Sequence, residues 1–290
     1  MKKIIVFGGS GFLGSHICDI LSDKGFDVSI FDVYKSKYKK KNQKIIIGSI
    51  LDKNLVEKSI KSNDYVYHLA GIADIHEAKE KSYESAETNI LGTINILKAC
   101  VKFNVKRLFF ASTVYVYSSH GSFYRVSKQS CELYLESFQQ EFGLNYTILR
   151  YGSLYGTRAN SFNFIRKAID EALKEKKITR AGDGKEVRSY INVIDAAKIS
   201  CDLFDEKYVN QHIMITGSQS NTVGEILDMI NEILNNEIKI VYKNEKMDGH
   251  YKLSPYSFKP KVALKITPKE YHDLGQGILE CIYEQNKDIK

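Results

Sequence analysis

Residues 4–16 read IIVFGGSGFLGSH, a short apolar run followed at once by Gly8-x-x-Gly11-x-x-Gly14. Glycines at these spacings allow a tight turn after a strand and let backbone N–H groups approach a pyrophosphate, while the N-terminus of the next helix adds partial positive charge. The second apolar run, VSIFD, ends in Asp32, where a carboxylate can accept hydrogen bonds from an adenosine ribose. Together the glycine turn and Asp32 predict a dinucleotide-binding unit.

The first half of the chain alternates short apolar runs with amphipathic stretches, which is typical of a parallel sheet covered by helices on both faces. The runs are KKIIVFG, FDVSIFD, KIIIGS, DYVYHLA, KRLFFAS and NYTILRY. Helices are predicted up to about Lys24, near Glu87–Phe103 and over Tyr124–Glu141. The predicted fold class is α/β, a doubly wound parallel sheet followed by a smaller mixed C-terminal lobe.

The looser pattern after Gly156 indicates two coupled parts in one chain. We expect residues 1–154 to form the dinucleotide-binding domain, with residues 186–216 returning to it. Residues 155–185 and 217–290 are expected to form the substrate-binding lobe.

Composition excludes several classes of protein. The chain is 43% hydrophobic, enough for a buried core, but no apolar run is long enough to span a membrane and no signal-peptide pattern is present, so we expect a cytoplasmic protein without a membrane partner. Five widely spaced cysteines without a CxxC pair predict buried thiols and no metal site. The net charge of +7 reflects lysine-rich stretches such as YKSKYKKKNQK, which favours a solvated loop over nucleic-acid binding because no recognition fold accompanies it.

The stretch YRVSK places Tyr124 and Lys128 four residues apart, shortly after the hydroxyl-rich run FASTVYVYSS. Residues at this spacing share one helix face, so the Lys128 charge is expected to lower the pKa of the Tyr124 phenol from about 10 toward neutrality. The spacing alone does not show whether this pair transfers a proton. The alternative is an exposed pair without a catalytic role. The pairs Tyr242/Lys246 and Tyr283/Lys287 repeat the spacing without the hydroxyl-rich strand end, and we interpret them as surface residues.

Several motifs, taken in order over roughly residues 1–230, resemble those of the extended short-chain dehydrogenase/reductases, and within them the nucleotide-sugar epimerase/dehydratase group. They are GGSGFLGSH, VYHLAGIAD, ETNILGT, FASTVYVYS, YRVSK, ILRYGSLYG, GDGKEVRSYINVIDAA and TGSQSNTVGEI. The resemblance implies a Rossmann-type fold, a nucleotide-sugar substrate and a dinucleotide cofactor. It implies a catalytic set of Thr113, Tyr124 and Lys128, in which Thr113 bonds the reacting oxygen and Ser112 is the alternative.

The resemblance also implies binding residues. The expected cofactor contacts are Gly8, Gly11, Phe12, Leu13, Gly14, Asp32, Ser49, Ile50, Leu69, Ala70, Lys128 and Tyr151. The expected substrate contacts are Ser112, Ser153 and Arg188. Arg188 would grip the diphosphate, the alternative being a surface ion pair with Asp183 or Glu186. Asn89 is interpreted either as a structural residue or as a cofactor ligand.

Asp32 favours NAD, because a carboxylate there would repel the 2′-phosphate of NADP. The neighbouring Lys35, Lys37 and Lys39 could offset that repulsion and leave NADP open as an alternative.

The chain departs from the family pattern in ways that bear on the reaction. Only ten residues separate Thr113 from Tyr124, where the family usually inserts a longer segment that borders the sugar. Val114-Tyr115 replaces the Asp-Glu pair of the 4,6-dehydratases, which disfavours dehydration. Because an epimerase retains NAD through its cycle and Asp32 favours NAD, we predict a nucleotide-sugar 4-epimerase. The alternatives are a 4-ketoreductase or dehydrogenase, and a catalytically silent dinucleotide-binding protein.

The predicted helices near 87–103 and 124–141 resemble those that pair into a four-helix bundle in dimeric relatives. This likeness predicts a homodimer. The apolar residues expected between the subunits are Ile90, Ile94, Leu97, Leu133 and Phe138.

Overall fold

The computed structural model describes residues 1–243, 264–267, 270 and 272–287. Its centre is an eight-stranded sheet in which every neighbouring pair of strands is parallel. The strands of this sheet are β1 (Lys3–Phe7), β2 (Asp27–Asp32), β3 (Lys44–Ile47), β4 (Tyr65–His68), β5 (Arg107–Thr113), β6 (Tyr146–Tyr151), β11 (Gln211–Ile215) and β14 (Leu264–Ile266). Their spatial order is β14-β11-β6-β5-β4-β1-β2-β3.

Helices connect the strands and lie on both faces of the sheet. They are α1 (Phe12–Asp23), α2 (Lys53–Ile60), α3 (Ile75–Glu80), α4 (Ser82–Ala86), α5 (Gly92–Lys102), α6 (Ser122–Phe142), α7 (Phe164–Glu175), α8 (Val193–Ser200), α9 (Val223–Ile233) and α10 (Leu274–Lys287). A π-helical turn, Glu87–Leu91, joins α4 to α5, and 3₁₀ turns cover Val114–Tyr117 and Glu206–Tyr208.

The two faces of the sheet explain why its strands are almost continuously apolar. One buried cluster lies between the sheet and helices α1 and α8, and a second lies between the sheet and helices α2, α5 and α6. Strands buried on both faces need apolar residues at nearly every position, as the burial of all residues of β4 and β6 shows. The predicted doubly wound α/β fold is confirmed.

A smaller lobe has its own apolar core beneath α7, α9 and α10. Its strands are β8 (Lys177–Ala181) paired in parallel with β13 (Lys239–Lys243), and β9 (Val187–Arg188) paired antiparallel with β12 (Asn221–Thr222). The short strand β10 (Tyr190–Asn192) pairs with β7 (Ser153–Tyr155). Segment 186–216 thus contributes α8 and β11 to the main sheet layers but β9 to the lobe. The domain division given by the sequence remains a prediction.

Three observations bear on other expectations from the sequence. All five cysteines are buried free thiols. Within the described ranges, no helix combines the length and apolar character that crossing a membrane requires. Tyr242 and Tyr283 are exposed, as expected for surface residues, while Lys246 lies outside the described residues.

Candidate active site

The glycine turn joins β1 to α1 by a close approach of backbone segments. Gly8 has φ +79°, and a Cβ added there would lie 2.6 Å from the Ala70 backbone nitrogen. A Cβ on Gly14 would lie 2.1 Å from the Gly8 carbonyl oxygen. Since α1 begins after Gly11 without a side-chain cap, its first N–H groups remain available to an anion. The turn therefore fits the pyrophosphate of a dinucleotide.

Asp32 ends β2 beside this turn, and its carboxylate is fixed by two backbone N–H groups. Its Oδ2 accepts from Ser10 N at 2.9 Å and its Oδ1 accepts from Tyr34 N at 3.2 Å. An oriented carboxylate at the end of the second strand suits the two hydroxyls of an adenosine ribose.

A cavity of about 770 Å³ runs from Asp32 along the carboxyl ends of the strands to Tyr124. It brings together fifteen of the residues selected from the sequence. They are Gly8, Gly11, Phe12, Leu13, Gly14, Asp32, Ser49, Ile50, Leu69, Ala70, Ser112, Thr113, Tyr124, Lys128 and Tyr151. A site at this edge is what the topology of a parallel α/β sheet favours.

The three predicted catalytic side chains meet where β5 ends against the first turns of α6. The Tyr124 phenol and the Thr113 hydroxyl share a hydrogen bond. The Lys128 ammonium donates to the Ala111 carbonyl at 2.8 Å and lies 4.8 Å from the centre of the Phe110 ring. Lys128 is thus held in the wall of the cavity, one helical turn from Tyr124.

The electrostatics of these groups differ from the expectation that Lys128 lowers the pKa of Tyr124. Burial raises the pKa of Tyr124 to about 12, and the hydrogen bond from Thr113 opposes this shift only in part. Burial also lowers the pKa of Lys128, while Cys131 and Glu132 oppose that shift. The prediction was wrong for the polypeptide by itself, because desolvation of the phenol raises its pKa by more than the Thr113 hydroxyl lowers it.

Tyr151 contributes its ring to the cavity, but its hydroxyl is engaged elsewhere. The phenol oxygen lies 2.6 Å from Ser200 Oγ of α8, and burial raises the pKa of Tyr151. We infer that only the ring of Tyr151 is available to a bound ligand.

The hydrogen bonds of Asn89 give it a structural role. From the π-helical turn, its Oδ1 accepts from Ile72 N at 2.7 Å and its Nδ2 donates to Ile72 O at 3.0 Å. The same Nδ2 donates to Ser127 Oγ of α6 at 2.9 Å. Asn89 therefore ties the loop after β4 to the helix that carries Tyr124.

Two predicted substrate residues do not line this cavity. Ser153 lies in β7, where its backbone N–H donates to Ser189 O at 3.3 Å. Arg188 is only 6% exposed and donates to the Val187 carbonyl at 2.9 Å, so it is not a surface residue. Their roles toward a substrate remain predictions.

Some cavity residues were missed by the sequence reasoning. Asp74 and Glu77 enter from α3, and Asn160, Phe162 and Asn163 enter from the segment before α7. Asn163 caps α7 through a bond from Arg166 N, a signal that the sequence NFIRKAI carries. The placement of this segment in the wall of the cavity depends on tertiary packing, which no local pattern specifies.

Comparison with known proteins agrees with this geometry. Residues 4–215 match the model of the NAD dependent epimerase/dehydratase family. A protein of Bacillus cytotoxicus named UDP-N-acetyl-alpha-D-glucosaminuronate decarboxylase is 33% identical over 267 residues, covering 83% of each chain. A putative UDP-glucose 4-epimerase of Methanocaldococcus jannaschii is 29% identical over 290 residues, covering 90% of this chain and 94% of the relative.

Among solved structures, the UDP-glucose 4-epimerase of Thermotoga maritima, determined with UDP-glucose, superposes with a TM-score of 0.88. It is 27% identical, and the alignment covers 99% of this chain and 100% of that one. These findings confirm the resemblance drawn from the sequence and the prediction of NAD as cofactor, and the chain belongs to the NAD dependent epimerase/dehydratase family of enzymes.

Proposed function

We propose that the protein is a nucleotide-sugar 4-epimerase that uses Tyr124 to move a proton at the sugar 4-hydroxyl. The observation that carries this proposal is the Thr113–Tyr124 hydrogen bond, which lies in the same cavity as the glycine turn and Asp32. Relatives named as 4-epimerases cover the chain almost fully.

Thr113, Tyr124 and Lys128 have different roles in this reaction. Thr113 holds the reacting oxygen, Tyr124 takes or returns its proton, and Lys128, held by the Ala111 carbonyl, supplies positive charge to the cavity. NAD, when bound, supplies the acceptor and donor of the hydrogen at C4. Tyr124 reaches a protonation state suited to this role only if additional positive charge near the phenol lowers its pKa from about 12.

Val114 and Tyr115 support epimerisation over dehydration. They form the 3₁₀ turn after Thr113, and the Tyr115 ring packs edge-on against Tyr124 at 6.5 Å. Neither side chain supplies the carboxyl acid and base that water elimination needs.

The charges of the cavity support a neutral sugar. Three carboxylates, Asp32, Asp74 and Glu77, line it, and Lys128 is the one ammonium group among its described lining residues. A uronate would add a further negative charge to a cavity whose described lining residues include three carboxylates and one ammonium group.

A second candidate is decarboxylation of a nucleotide uronate, because one relative is named as such a decarboxylase. It too requires oxidation at C4. Purified protein supplemented with NAD should be offered UDP-, GDP-, CDP- and dTDP-linked hexoses together with their uronates, and products followed by mass spectrometry and NMR.

The outcomes separate the candidates. The sugars carry a hydrogen isotope label at C4. Inversion of the configuration at C4 with this label retained supports the epimerase. A mass loss of carbon dioxide supports the decarboxylase, loss of C4 label to free reduced cofactor supports a ketoreductase or dehydrogenase, and no turnover with NAD bound supports a silent binding protein.

We further propose a homodimer through the exposed sides of α6 and of the neighbouring π-helical turn. Phe123, Val126, Leu133 and Tyr134 form an apolar stripe on α6, and Leu91 lies exposed on the turn packed beside it. Two expected interface residues were wrong: Leu97 and Phe138 are buried in the protomer's own core, because their side of each helix packs on the sheet.

A further inference from the structure

We propose that Glu132 and Arg150 are positioning residues that set the register of α6 against β5 and thereby hold the Tyr124 phenol at Thr113. The inference rests on the proposed function insofar as Tyr124 carries the proton. Neither Glu132 nor Arg150 is among the described residues that line the cavity, so their effect on the reaction would be indirect.

Three consecutive residues at the end of β5 bond to three residues of α6 that are spaced by four. The bonds join Ala111 O to Lys128 Nζ at 2.8 Å, Ser112 Oγ to Glu132 Oε1, and the Thr113 hydroxyl to the Tyr124 phenol. Side chains spaced by four share a helix face, so one face of α6 bonds to all three residues at the end of β5. A slip of the helix along the strand would break all three bonds together.

Of the three α6 residues in these bonds, Glu132 is also bonded to a second strand, β6. Arg150 of β6 donates from Nε to Glu132 Oε1 at 3.0 Å and from Nη2 to Oε2 at 2.5 Å. Both residues are 5% exposed. A bidentate, buried guanidinium–carboxylate pair fixes direction as well as distance.

Arg150 also reaches the turn that follows Thr113. Its Nη1 donates to Tyr117 Oη at 2.5 Å, and its guanidinium carbon lies 4.8 Å from the centre of the Tyr117 ring. Tyr117 is the last residue of the 3₁₀ turn Val114–Tyr117 that follows β5. The Arg150 guanidinium therefore bonds to both α6 and this turn.

A buried ion pair is weak evidence for stability, since apolar residues of similar volume often stabilise a fold equally well. What this pair adds is a fixed orientation of α6, which carries Tyr124 and Lys128, against β6 and the turn that follows Thr113. Displacement of such groups by about 1 Å costs about 10²-fold in rate.

The test compares Glu132→Gln and Arg150→Lys with Arg107→Lys in the full-length protein. Arg107 is an equally buried arginine at the opposite end of β5, where it donates to the Leu203 and Asp205 carbonyls far from the cavity. Each variant is measured for hydrogen exchange of the amides of residues 122–130 and for kcat and KM on the sugar turned over by the wild type.

We expect Glu132→Gln and Arg150→Lys to speed exchange in residues 122–130 by at least about tenfold and to lower kcat by about 10²-fold with KM nearly unchanged. Arg107→Lys should change neither. The proposal is overturned if the exchange in residues 122–130 is unchanged in Glu132→Gln, or if Arg107→Lys has the same effects. If the wild type turns over no nucleotide sugar, the proposed function fails, and the exchange comparison still decides the positioning role.

Discussion

The Tyr124 phenol is hydrogen bonded to the Thr113 hydroxyl across a segment of only ten residues. The segment begins with the 3₁₀ turn Val114–Tyr117, and the turn and the residue after it are each hydrogen bonded to α6. Gln129 Nε2 donates to Val116 O, and Arg125 Nη1 donates to Ser118 O, each at 2.9 Å. The bond between the two catalytic side chains is therefore a property of a compact turn that α6 itself holds.

Replacing Tyr124 with Phe should leave the fold and NAD binding intact and lower kcat by about 10³-fold, because proton transfer typically contributes 10²–10⁴-fold. Lys128→Met should have a comparable effect. Single-turnover kinetics on the substrate found in the panel would measure both. Normal turnover by Tyr124→Phe would exclude the phenol as the proton carrier. Tyr283→Phe, on the exposed face of α10, serves as the control.

Asp32→Asn should weaken NAD binding by roughly ten- to hundredfold, the loss expected when a charged acceptor no longer bonds the ribose hydroxyls. NADP binding should weaken less or improve, since the repelling charge is gone. Isothermal titration with both cofactors measures the ratio. An unchanged preference for NAD in Asp32→Asn would mean that other residues discriminate between the cofactors.

Stability should fall as the pH falls below about 6.5, partly because of His68. Burial lowers the pKa of His68 to about 3, so the unfolded chain takes up a proton that the folded chain refuses. Its contribution is fully present above pH 6.5 and is lost progressively as the pH falls toward 3, at up to about 1.4 kcal/mol per pH unit. Urea unfolding of wild type and His68→Asn between pH 7 and 4.5 should show the shallower slope in the variant. Parallel slopes would contradict this account.

Leu133→Glu should convert the proposed homodimer into a monomer, because Leu133 is 63% exposed in the apolar stripe of α6 and a carboxylate there would be desolvated in an interface. Sedimentation equilibrium at micromolar concentration gives the measurement. Tyr283→Glu makes the same kind of change on α10, where Tyr283 is 59% exposed, and should not alter the mass. A wild-type protein that sediments as a monomer would remove the dimer proposal.

Local patterns sufficed for the parallel sheet, the glycine turn, Asp32 and the Tyr124/Lys128 pair, because each depends on periodicity or on short spacing. The sequence did not predict the π-helical turn at 87–91. There the Asn89 carbonyl accepts from Thr93 Oγ1 at 2.5 Å and from Cys131 Sγ at 3.1 Å, and the second of these donors comes from another helix. The Glu132–Arg150 pair and the raised pKa of Tyr124 likewise arise from burial among distant residues.

Asn89 occupies the space next to Gly71. Gly71 has φ +151°, and a Cβ there would lie 2.6 Å from Asn89 Oδ1, so the amide already fills the volume that a side chain would need. A side chain at residue 71 would meet both this backbone strain and the Asn89 amide, which also bonds Ser127. Descendants of this gene should therefore keep glycine at position 71 even where residue 89 becomes shorter.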